Sequence, residues 1–182
     1  MTDCYYLLPH PEDGDLDLSF DANMSRISDA DYFDYFYHKQ SPLPDTAVFR
    51  FSVGTADPAF VDRADVMPCS AGFLMSVRLF EALEPLIGDE IVWKRAEVVI
   101  APDRAIDYRI FRTTKDLAIL DADANRFHTW INARLRSDLL DDFNVATDLA
   151  TREIAFSHRV ADLVKAGSYR CAVKKITSGQ VS

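Results

Sequence analysis

Two short stretches of carboxylates invite the first chemical question in this 182-residue sequence, because calcium is bound by oxygen ligands at alternate positions of a loop. Asp13-Gly14-Asp15-Leu16-Asp17 has that alternation, but the sixth position is Leu18 where the sharp turn needs Gly, and the twelfth is Met24 where a bidentate Glu is needed. Asp121-Ala122-Asp123-Ala124-Asn125 fails in the same way, with Arg126 at six and Asn132 at twelve. Both read as polar turns whose side chains bond to nearby backbone. The histidines His10, His38, His128 and His158 never stand three or four residues apart, so no helix offers two imidazoles to one metal. Cys4, Cys69 and Cys171 lack the close spacing of a zinc site or redox dithiol and read as free thiols in a reducing compartment. There is no Gly-x-Ser-x-Gly elbow, phosphate loop or dinucleotide fingerprint. Ser76, Ser157, His158 and scattered aspartates leave room only for a site assembled from distant residues, which would make the chain a small hydrolase or transferase with an acidic cleft. The leading expectation is a protein without catalytic residues, metal or cofactor.

A binding role has better support. Residues 1–65 carry 13 acidic groups against four basic ones, whereas residues 66–182 carry 16 of each, so the whole net charge of −9 sits in the first third. That field repels nucleic acid and speeds the approach of cationic partners. Inside it lies Tyr32-Phe33-Asp34-Tyr35-Phe36-Tyr37, five aromatics in six residues. On a helix Phe33, Phe36 and Tyr37 share one face and Tyr32 and Tyr35 another, more than one buried stripe absorbs. Either the helix is sandwiched in the core, or Tyr32 and Tyr35 are exposed anchors of the kind enriched at interface hot spots. The candidate partner-binding set is therefore Asp13, Asp15, Asp17, Asp31, Tyr32, Asp34 and Tyr35, and the expected partner is a protein with a basic surface, or an adaptor's counterpart. The start of the sequence lacks a signal-peptide pattern and no apolar run approaches a membrane span, so a cytoplasmic protein is expected.

The elements that must position these residues can be traced from periodicity and turn chemistry. Cys4 to Leu8 reads as a strand stopped by Pro9, Asp29 to Lys39 as a helix capped by Ser28, and Val48 to Val53 as an alternating strand. From Val77, the positions Val77, Phe80, Leu83, Leu86 and Ile87 follow a period near 3.6, and Gly88 suits a left-handed residue after the helix. Ile91 to Trp93, Glu97 to Ile100, Tyr108 to Arg112 and Leu117 to Leu120 read as strands, the last two joined as a hairpin through residues 113–116. Residues 126–149 are ambiguous between helix and loop.

The last part of the chain repeats the middle. Phe73-Leu74-Met75 precedes Ser76-Val77-Arg78-Leu79 as Ile154-Ala155-Phe156 precedes Ser157-His158-Arg159-Val160, and each unit runs through an apolar-periodic helix (76–87 and 157–166) to a Gly and a β-prone run. Each Ser is expected to cap its helix. The fold class expected is α+β: a mainly antiparallel sheet, two Ser-capped helices in repeated strand-helix-strand units and an N-terminal aromatic helix. It forms a single domain over 1–182, with an acidic elaboration (1–65) on an α+β core (66–182).

At the two Ser-x-Arg units the sequence resembles the bacterial polymorphic-toxin immunity proteins, a family first catalogued as a domain of unknown function. The likeness runs over about residues 66–176, through Phe73 to Leu83, the Tyr108-Arg109-Ile110 segment within Asp107 to Asp121, and Ile154 to Val173. It departs from the family after residue 120, where a clear aspartate and serine step is lacking, and the acidic aromatic first third has no counterpart. The resemblance implies a non-enzymatic inhibitor that binds and neutralises a toxin delivered by neighbouring bacteria.

Overall fold

Alternating and continuous apolar runs in this chain make eleven described strands, and they divide between two sheets. The computed structural model describes residues 3–13, 18–39, 43–54, 58–69, 72–120, 135, 142–149 and 151–176. The larger sheet has the order β2-β3-β6-β7-β5-β4, built from β2 (Leu18–Phe20), β3 (Val48–Val53), β4 (Val66–Cys69), β5 (Gly72–Ser76), β6 (Ile91–Ala101) and β7 (Arg104–Thr113). The smaller has the order β11-β1-β10-β9-β8, from β1 (Cys4–Pro9), β8 (Asp116–Leu117), β9 (Val145–Asp148), β10 (Ile154–Ser157) and β11 (Cys171–Ile176).

The α+β class holds, with mixed sheets: β3 runs parallel to β6 and β8 parallel to β9, while the other pairings are antiparallel. Ile91 to Ile100 is one continuous strand, turned by Pro102-Asp103 into β7. The expected hairpin across residues 113–116 does not form. The segment after β7 leads out of the large sheet, and Leu117 pairs in the small sheet instead, because β7 already has β6 and β5 on its two sides. The turn at Asp121 to Asn125 and most of 126–149 lie outside the described residues.

The described α-helices are α1 (Ala22–Ser25), α2 (Asp29–Phe33), α3 (Pro58–Val61), α4 (Val77–Ile87) and α5 (His158–Ala166); α4 buries Leu79, Phe80, Leu83 and Ile87, and α5 buries Val160, Ala161 and Val164. Both stripes enter one core with Met75, Phe111 and Phe156, so the two helices pack together between their sheets. Each large apolar side chain withdrawn there is worth about 1.5–3 kcal/mol.

The two units share one connectivity. In each, a hairpin strand leads through Ser into a helix and then into a strand parallel to the first, one place away in the sheet: β5-α4-β6 with β7 in the gap, and β10-α5-β11 with β1 in the gap. The start of the chain thus supplies an interior strand of the second unit. Cys4 to Pro9 lies opposite Ile176 to Cys171, pair by pair.

Two of the expected caps differ from the expectation. Ser76 caps α4, its hydroxyl accepting from the Leu79 amide at 3.3 Å. Ser157 stands at the same position of α5 without capping it, since its hydroxyl reaches Asn144 Oδ1 at 3.2 Å. Gly88 is right-handed (φ −54°) and opens a 3-10 turn, Gly88–Glu90, so the chain leaves α4 without a left-handed residue. Gly167 is extended, and it is Gly for space: a Cβ there would run into the Tyr169 ring.

Candidate functional site

Helix α2 (Asp29–Phe33) starts where Ser28 accepts from the Asp31 amide at 3.1 Å and donates to the Asp31 carboxylate at 2.7 Å. It widens into a π-turn, Asp34–His38, and ends on Lys39 in the left-handed region at φ 57°. The residues that turn inward are Tyr32, Tyr35 and Phe36, an i, i+3, i+4 set on one helical face. Tyr32 stacks on Phe20 with ring centroids 4.1 Å apart and meets Phe36 and Phe49 edge-on. Tyr35 packs against Phe36 and Phe49, beneath the Arg112 guanidinium 4.7 Å from its ring.

This corrects the assignment of Tyr32 and Tyr35 as exposed anchors, for they are 0% and 2% exposed. Burial raises the Tyr35 hydroxyl above its ordinary pKa, with Arg112 pulling partly back. Phe36 belongs with them, and this leaves Phe33 and Tyr37 as the outward i, i+4 pair. Their rings stack 5.8 Å apart at 20°, and they are 42% and 36% exposed. Asp29 and Asp31 are exposed beside them, and Asp34 is half-exposed 3.9 Å from His38. Of the other carboxylates in the expected set, Asp13 ends a 3-10 turn, Pro11–Asp13, and Asp15 and Asp17 lie outside the described residues.

A second cluster is built on the buried Asp65. Asp65 is 1% exposed and precedes β4. Its carboxylate accepts from the Ser76 hydroxyl, from Arg78 Nε at 2.8 Å and also from Arg78 Nη2, and from the Arg170 amide at 2.6 Å. Burial works to raise its pKa, but the hydrogen bonds from Arg78, Ser76 and the Arg170 amide outweigh it and hold the carboxyl below the usual range. An ionised, fully bonded carboxylate is a poor base, and the Ser76 hydroxyl is committed both to Asp65 and to the helix cap. The chemistry here is that of a staple.

The staple is repeated in the second unit with an amide in place of the acid. Ser157 N donates to Asn144 O at 2.9 Å as Ser76 N donates to Asp65 O at 2.9 Å, and each Ser hydroxyl meets the side chain of the same residue. Each is then held from the other unit. The turn after α5 gives the Arg170 amide to Asp65, and Glu90 after α4 accepts the amides of Asn144 and Val145 at 2.7 and 2.8 Å. Burial works to raise Glu90 as well, and the Lys115 ammonium at 2.7 Å with those two amides brings it below its ordinary value.

No group of three or more His, Cys, Asp or Glu side chains able to hold a metal occurs among the described residues, and no described helix is long and apolar enough to cross a membrane. No protein-family model, curated protein or solved structure matches the chain.

Proposed function

We propose that this chain is a non-catalytic immunity protein, one that binds and neutralises a bacterial toxin through the outward face of α2 and its π-turn. The observation that carries the docking surface is the stacked, exposed Phe33–Tyr37 pair set among Asp29, Asp31 and Asp34. The toxin assignment rests on the resemblance at the two Ser-x-Arg units. Aromatic rings held rigidly at the centre of a charged surround are the residue types and arrangement of an interface hot spot. The rigidity has a source in the opposite face of the same helix, where Tyr32, Tyr35 and Phe36 are locked against Phe20 and Phe49, so little side-chain or backbone order remains to be lost on binding. The carboxylates match a partner with a basic rim and steer its approach.

The test begins with a toxin domain encoded beside this gene. Co-expression should protect the host, and a direct binding measurement should give a complex. Phe33→Ala and Tyr37→Ala should each weaken it by about 2 kcal/mol, roughly 30-fold in Kd, with the melting temperature unchanged. A complex that forms with unaltered affinity in the double variant would remove α2 as the docking face, and a co-expressed toxin that kills regardless would remove the toxin reading.

A further inference from the structure

Where the π-turn ends, the two sheets leave a cavity of about 30 Å³ lined by Tyr37, Lys39, Arg112, Thr147 and Arg152 among others. One water needs about 10–15 Å³ on this measure, so the space suits one compact group and not a nucleotide or sugar ring. Three cations converge on it in a protein whose net charge is −9. Lys39 Nζ is 2.5 Å and Arg152 Nη1 3.5 Å from opposite oxygens of Asp116. Arg112 has no carboxylate in ion-pair contact among the described residues. Its guanidinium lies over the Tyr35 ring, and its Nε is buried without a hydrogen-bond acceptor. Glu153 is close enough to act on the Tyr37 hydroxyl and Asp45 on that of Tyr35, but neither lines the cavity.

We propose that this cleft binds a small tetrahedral oxyanion of the phosphate class, with Arg112 as the central donor and Lys39 and Arg152 closing around it. A guanidinium nitrogen withdrawn from water, as Arg112 Nε is, needs a hydrogen-bonding partner, and a ring face supplies only part of it. Three like charges against one carboxylate repel, and an oxyanion among them turns that repulsion into attraction. The backbone adds a separate sign. Lys39 and Arg152 are left-handed at φ 57° and 63°, two of three such non-glycine residues in the described chain, and both arms of the cleft hang from them. Such conformations persist where surroundings enforce them, typically at ligand clamps. The Thr147 hydroxyl, 2.6 Å from that of Thr113, adds a neutral polar group to the wall. The cleft shares the Tyr37 ring with the proposed docking face, but its three cationic donors, Arg112, Lys39 and Arg152, are not part of that face.

The full chain is titrated with inorganic phosphate and with phenyl phosphate by calorimetry, at constant ionic strength held with chloride. Saturable one-to-one binding is expected, weakened at least tenfold in Arg112→Gln and in Arg152→Gln. The second variant keeps the test sound if the first disturbs Tyr35, because the Arg152 side chain is 44% exposed. Tenfold tighter binding of phenyl phosphate assigns the site to a phosphate group on a larger molecule, and equal or weaker binding assigns it to the free ion. Absence of saturable binding for both probes overturns the proposal, as does saturable binding that neither variant weakens.

Discussion

Replacing Asp65 by Ala tests whether the two repeated units are stapled as their geometry indicates. The change deletes the acceptor for Ser76 Oγ, for two nitrogens of Arg78 and for the Arg170 amide, and Arg78 regains water, its side chain being 59% exposed. Breaking a buried pair by removing one partner costs about 3–5 kcal/mol, and the exposure of Arg78 places the loss at about 3. For a chain of this length that is a fall of roughly 6–12 °C in Tm. Differential scanning calorimetry of Asp65→Ala, Arg78→Ala and the double variant measures the loss and its coupling. The pH dependence has a defined sign. The folded-state pKa of Asp65 is depressed, so its contribution is complete above the unfolded value of about 3.9 and is lost as pH falls through the folded value. Asp65→Asn should remove that part of the acid sensitivity. A variant Asp65→Ala that melts within 2 °C of the parent, with no coupling to Arg78, would refute the staple.

Tyr32→Ala should cost about 3–5 kcal/mol in stability by urea unfolding, whereas Phe33→Ala should cost under about 1 despite being the same kind of truncation one residue away. Gly88→Ala should leave stability equal or raise it by up to about 1 kcal/mol, since Gly88 is right-handed with only an ordinary 3.7 Å contact to Glu84, while Gly167→Ala should lower it by displacing the Tyr169 ring; paired melting curves decide both. Burial, then the nearby Asp3 charge, pushes the Cys4 thiol up to about 12, and burial, then Asp65, does the same to Cys171. Iodoacetamide at pH 8 should therefore label both slowly in the native protein and readily in urea, as mass spectrometry of the quenched mixture would show.

The helices α4 and α5 were legible because apolar period and a leading Ser coincide at Phe80, Leu83 and Ile87 and again at Val160 and Val164. The likeness of the two units was legible for the same reason. Their staples were not, because the signal is one polar residue 11 or 13 positions before a serine, and its other partner, Arg170, is 105 residues from Asp65. Composition does not mark Asn144 as the counterpart of Asp65. Tyr32 and Tyr35 were misplaced because a run of five aromatics allows two divisions of one helix, and the choice is made by Phe20 and Phe49, which reach the helix from strands of the large sheet. The strand β8 pairs over two residues, too few for alternation to show. The cationic cleft draws Lys39, Arg112 and Arg152 from three separate elements, so no local motif announces it.

The pairing of β1 with β11 gives the molecule a direction in which it resists pulling. The ladder opens at Cys4 opposite Ile176, where both strands leave on the same side, so a force applied to the two ends loads one residue pair at a time instead of shearing all six. The two strands are not equally held. Among the described strands β11 is at the edge and pairs with β1, whereas β1 is gripped by β11 and β10 together. A threading unfoldase that takes hold beyond Ile176 therefore starts by peeling an edge, strips Tyr169 and Arg170 away from Arg78 and Asp65, and meets the core already breached. One that takes hold before Cys4 has to draw an interior strand from between two neighbours as its first step. The same fold is thus mechanically soft from one end and stiff from the other.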